Sequence, residues 1–119
     1  MPQGTKSPKA EGDKTMTERE LAKLGCKVEA EHCLKLTEKA MECIEQGDLF
    51  KANRFLNNAD CPFKCASNEH EDLWRLTGGD MTEEEWKYFE LVEIAQIKFR
   101  NACNTWRAAR DRQIAEEDA

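Results

Sequence analysis

From Thr17 onward, apolar residues recur at three- and four-residue steps, and that period belongs to the α-helix. Thr17-x-x-Glu20 opens the first helix as a capping box, in which the hydroxyl meets a free amide near Glu20 and the carboxylate reaches back. The pattern then runs to about Gln46. Leu21, Leu24 and Val28 fall on one side, and Cys33, Leu36, Ala40 and Ile44 continue an apolar stripe that drifts around the axis. Gly25 is its weak point, costing about 1 kcal/mol relative to alanine in mid-helix. Gly47-Asp48 stops this helix and caps the next. So tight a turn makes the two helices antiparallel neighbours.

The second helix is predicted to be short, Leu49 to Ala59, burying Ala52, Phe55, Leu56 and Ala59. Asp60 to Asp80 reads as irregular, with a short helix near Asn68 to Leu76 that Gly78-Gly79-Asp80 ends. A second capping box, Thr82-x-x-Glu85, opens the last helix. Tyr88, Val92, Ala95, Phe99, Ala102, Trp106 and Ala109 then form a heptad seam. Glu83, Glu84 and Glu85 at its start and Arg107, Arg110 and Arg112 near its end both complement the helix dipole. The predicted class is all-α: a small helical bundle of a long helix, a short helix, an irregular cysteine-containing segment and a long C-terminal helix. Helix is expected over roughly 70% of the chain, well above the usual one-third share.

Residues 1–16 carry two prolines, two glycines and three lysines with almost nothing to bury, and read as a disordered tail. Within it, Ser7-Pro8-Lys9 is a candidate phosphorylation site. A single helical domain is expected over 17–115, with a frayed end at 116–119.

The chain has 119 residues, which suits one domain. A charged fraction of 35% against 39% hydrophobic suits long, partly exposed helices. The formal charge of −6 opposes phosphate-backbone contacts, so nucleic acid is a poor partner. No stretch approaches the ~18 uncharged apolar residues of a membrane-spanning helix. Met1 to Met16 show no secretory apolar run. The expectation is a protein without membrane insertion, intracellular and cytoplasmic.

Small residues at Ala40, Ala52 and Ala59, the Gly47-Asp48 turn, and Leu36 and Leu56 as large partners span residues 36–61. This segment resembles a single tetratricopeptide-type helix-turn-helix, and is similar to the helical hairpins that precede the J-domain in some co-chaperones. The resemblance implies a closely packed αα-hairpin. Lys39 departs from the family pattern, the trailing proline is missing, and no second copy of the repeat follows.

Six cysteines leave three readings open. They are small buried core residues; or they form disulfides, of which fifteen pairings exist; or some bind metal. The spacing of Cys33 and Cys43 resembles that of cysteine-rich hairpins of the mitochondrial intermembrane space, which would be the compartment if the thiols were oxidised. Cys61-x3-Cys65-x4-His70 supplies three candidate zinc ligands, with Cys33, Cys43 or Cys103 as a fourth. Glu29-x-x-His32 lacks the second copy that a di-iron bundle needs. Cys65 and His70 are the only local nucleophile–base pair, and no phosphate-binding glycine loop is present, so no enzyme is expected.

The large aromatics remain. Trp106 and Phe99 lie on the seam, Trp86 lies one step off it, and Trp74 falls in the irregular segment. Aromatics of this size anchor protein interfaces. The expected function is a non-catalytic interaction module acting by helix–helix docking through the C-terminal helix, on another protein or on itself. Trp74, Trp86, Phe99 and Trp106 are the candidate contacts. The alternative is a thiol- or zinc-dependent helical protein using Cys61, Cys65 and His70.

Overall fold

The computed structural model describes residues 15–119; Ser7-Pro8-Lys9 and the tail up to residue 14 lie outside the described residues. Three helices, α1 (Glu18–Glu45), α2 (Leu49–Thr77) and α3 (Glu83–Asp118), account for 89% of the described residues, among which there is no strand. The all-α class expected from the periodicity is observed. The chain runs up, down and up, so α1 and α3 are parallel and pack on each other, and α2 runs antiparallel to both.

Both capping boxes are formed. Thr17 accepts from the Glu20 amide at 3.1 Å, and Glu20 accepts from the Thr17 amide at 3.0 Å. Thr82 and Glu85 exchange the same pair at 3.1 and 2.8 Å. Asp48 caps α2 by accepting from Lys51 at 3.0 Å. Gly47 and Gly78 take the left-handed conformation that ends α1 and α2, at φ of 82° and 64°.

The second helix is the main departure from expectation. It is 29 residues long and includes Pro62, so the predicted short helix, irregular segment and second short helix are one element. An interior proline removes a backbone donor and costs about 3 kcal/mol. Here burial outweighs that cost. Ala52, Leu56, Ala59, Pro62, Ala66 and Leu73 are all buried, so one apolar stripe passes through the proline without a break in phase.

The inward face of α1 is Ala22, Cys26, Ala30, Cys33, Thr37, Ala40 and Cys43. Leu21, Leu24 and Val28, expected inside, are instead exposed. A surface of small side chains lets α2 approach closely, and α1–α2 is the most extensive interface in the molecule. The α2–α3 interface is the least extensive. Rings fill it: Phe63 meets Phe99 at 4.7 Å between centroids, and His70 stacks on Phe89 at 3.7 Å. The seam residues Val92, Ala95, Phe99, Ala102 and Ala109 are buried as expected, and Phe89 joins them.

Two polar ties set the register of α3. At its start, Arg19 of α1 donates to both Glu85 oxygens at 2.6 and 2.7 Å and to the Asp80 carbonyl at 3.2 Å. Farther along, the Trp106 indole donates to the Leu49 carbonyl at 2.8 Å. Beyond Ala109 every residue is exposed, and Arg112, Gln113 and Glu116 flank the α1–α2 turn at Ile44, Gly47 and Leu49.

Candidate functional site

Two of the four candidate contact residues come together where α2 turns into α3. Trp74 and Trp86 lie edge to face, 6.4 Å apart and inclined at 71°, with 50% and 39% of their surfaces exposed. Phe89 forms the floor beneath both, at 5.8 Å from Trp74 and 5.6 Å from Trp86. His70 covers the other side of Phe89 and holds Glu93 through Nε2 at 3.3 Å. Aromatic pairs of this kind each contribute about 0.5–1.5 kcal/mol beyond area burial, so the rings are held in place rather than merely near one another.

The turn is shaped to this cluster. The Gly78 amide bonds back to the Trp74 carbonyl at 2.9 Å, and Thr77 Oγ1 accepts from the Gly79 amide at 3.2 Å. A Cβ on Gly79 would come within 3.1 Å of the Trp74 ring, so glycine at this point lets the indole lie across the turn. Acidic side chains surround the pair: Glu71 one turn before Trp74, Glu83 and Glu90 one turn either side of Trp86, and Glu93 on His70. Of the neighbouring cations, Arg75 is held by Asp72 at 3.3 Å. Lys87 is rotated about 100° around α3 from Trp86.

Phe99 and Trp106 serve the interior instead. Phe99 is buried against Phe63. Trp106 is half-buried, bonded to Leu49 and covered by the Arg110 guanidinium at 5.2 Å. Both line an open concavity of about 360 Å³ together with Leu56, Asn57, Asp60 and Arg107.

The proposed zinc ligands are not gathered. Because the segment is helical, Cys61 and Cys65 sit one turn apart on the side of α2 nearer α1. His70 is rotated about 140° from Cys65 and stacks toward α3. Among the described residues no three His, Cys, Asp or Glu side chains cluster as a metal would require. All six cysteines are free; Cys26, Cys33 and Cys43 are buried, Cys65 and Cys103 half-buried, and Cys61 exposed. Burial, reinforced by Glu69 and Asp72, pushes the Cys26 thiol up to about 12. Burial likewise raises Cys33, Cys65 and Cys103. These groups are therefore thiols at neutral pH. In the Glu29-x-x-His32 pair, His32 is exposed.

Sequence reasoning missed three features. Phe89 is the floor of the tryptophan pair; its i+3 spacing from Trp86 was the available signal. Glu85 acts across helices as well as in its cap. Gly25 in mid-α1 makes room for Glu69 of α2, whose carboxylate would collide with any Cβ there. Burial, then Asp72 and Glu29, raise the Glu69 carboxyl above its ordinary value. An open groove of about 560 Å³ lies elsewhere, between α1 and α3. Leu34, Met41 and Ala102 line it along with Glu31, Lys35, Glu38 and Lys98, and it holds no thiol or imidazole.

The chain matches no protein-family model, no characterised protein and no solved structure.

Proposed function

We propose that this protein is a non-catalytic interaction module that docks a basic, helical segment of a partner protein on the Trp74–Trp86 pair. The observation that carries the reading is the pair itself: two half-exposed indoles, locked on a buried phenylalanine, on a surface otherwise rich in charge. Tryptophan is enriched among residues that dominate binding energy, and a ring already held in place loses little conformational freedom on association. The acidic rim selects the partner's charge. Glu71, Glu83, Glu90 and Glu93 attract arginine and lysine, and a guanidinium brought there meets an indole face.

The non-catalytic part of the reading is supported by geometry: His70 is engaged with Phe89 and Glu93 and lies on the other side of α2 from Cys65. Free cysteines suit a reducing compartment, so the reading puts the protein's work in the cytoplasm.

The test is a fluorescence titration with a lysine- and arginine-bearing amphipathic peptide and its glutamate-substituted counterpart. The basic peptide is expected to bind in the micromolar range, more weakly as salt is raised. Trp74→Ala and Trp86→Ala should each weaken it roughly 30-fold, corresponding to a loss of about 2 kcal/mol. Equal binding of the acidic peptide, or binding indifferent to both substitutions, overturns the proposal.

A further inference from the structure

The continuity of α2 sets two thiols side by side at the surface. Cys61 and Cys65 lie four residues apart on an unbroken helix, so their Cβ atoms stand ~5–6 Å apart on neighbouring turns. The two side chains meet across that turn. Cys61 is exposed and Cys65 half-buried, so the pair is open to solvent on one side and held by packing on the other. Two donors do not complete a zinc tetrahedron, and among the described residues no third gathers beside them. Two thiols do suffice for a centre that forms two bonds to sulfur and keeps its third for carbon.

We propose that Cys61 and Cys65 form a chelating site for monosubstituted trivalent arsenic, taken up as the neutral dihydroxyarsine RAs(OH)2. Each thiol displaces one hydroxyl. Two S–H and two As–O bonds break, two As–S and two O–H bonds form, and two waters leave. Arsenic stays trivalent and nothing is oxidised. Three features select this ligand over a soft monovalent metal ion. The exchange starts from thiols, and burial, reinforced by Cys61, keeps Cys65 in that form. Its product is neutral, whereas a bis-thiolate metal complex would leave a negative charge near Glu29 and Glu69, which lie around Cys65. A pyramidal centre also takes sulfurs that already lie together, whereas a linear ion would have to hold them two bond lengths apart. The chelate closes over the turn that Pro62 weakens, where the Asn58 carbonyl has no amide to accept from. The site is independent of the tryptophan pair, since Trp74 is rotated about 180° around α2 from Cys65.

Mass spectrometry of the full chain with one equivalent of phenylarsine oxide, which hydrates to the dihydroxyarsine, tests the proposal. Circular dichroism confirms that each variant keeps its helices. Wild type is expected to gain one phenylarsenic group in place of two thiol hydrogens, and peptide mapping should place it on Cys61 and Cys65. Cys61→Ser, at an exposed position, and Cys65→Ser should each weaken capture roughly 100-fold, because a single arsenic–sulfur bond loses its chelate partner. Cys103→Ser and Trp74→Ala should leave capture unchanged. The adduct should raise the thermal midpoint of the helical signal, since a ligand that prefers the folded chain stabilises it. The absence of an adduct overturns the proposal. So does an adduct that survives either serine variant of the pair, one that is lost in Cys103→Ser, and one that leaves the midpoint unchanged or lowers it.

Discussion

Glu85→Gln isolates the ion pair that ties α3 to α1. The Glu85 side chain is only 6% exposed, receives both Arg19 hydrogen bonds, and accepts from the Thr82 amide at 2.8 Å. Glutamine keeps an oxygen for the Thr82 amide, so the cap survives and the charge is lost. Chiefly through the Arg19 hydrogen bond, the carboxyl is held at about 2 against an ordinary 4.5. At 1.36 kcal/mol per unit that difference is about 3 kcal/mol, and solvent screening through the half-exposed arginine leaves about 2. The sign follows from linkage. A carboxylate whose pKa is depressed in the folded state adds stability above pH 4.5, and that stability is lost as pH falls toward 2. Urea unfolding followed by circular dichroism should show the variant about 2 kcal/mol less stable than wild type at pH 7, with the gap closing as pH falls through that window. A gap equally wide at pH 7 and pH 2, or none at pH 7, would refute the argument.

Four further outcomes are expected. Trp106→Phe should cost about 1 kcal/mol for the lost bond to Leu49, and Trp106→Ala about 3 kcal/mol, both read from urea unfolding at constant m-value. Glu69→Gln should stabilise the fold at neutral pH. The raised Glu69 pKa means wild-type stability from this group is present at low pH and lost as pH rises through the folded value, so the difference between the two proteins should vanish in acid. In the same region, Gly25→Ala should gain about 1 kcal/mol of helix propensity in a Glu69→Ala background and less in wild type, a coupling a double-mutant cycle reads directly. Brief alkylation followed by mass spectrometry should modify Cys61 first, Cys65 and Cys103 more slowly, and Cys26, Cys33 and Cys43 only after denaturation.

The local rules written into this chain specify most of its elements. Both capping boxes, the glycine-terminated turns and the seam of α3 were legible because each depends on residues three or four apart. So was the close α1–α2 hairpin, since small residues at helical spacing imply near approach whatever lies opposite. Trp74 and Trp86 could be singled out as large aromatics, but their meeting could not, because twelve residues and a turn separate them. Pro62 shows the limit most clearly. Proline and a run of polar residues argue for a break, yet α2 continues because two neighbouring helices bury its stripe on both sides of the proline. That continuity places His70 on α3's side of the helix, apart from Cys61 and Cys65. The same holds for the inward face of α1, where Leu21, Leu24 and Val28 have the greater hydrophobicity but Ala22, Cys26 and Ala30 are buried. Hydrophobicity by itself ranks residues for burial; the space left by the neighbouring helix decided that the small ones go in.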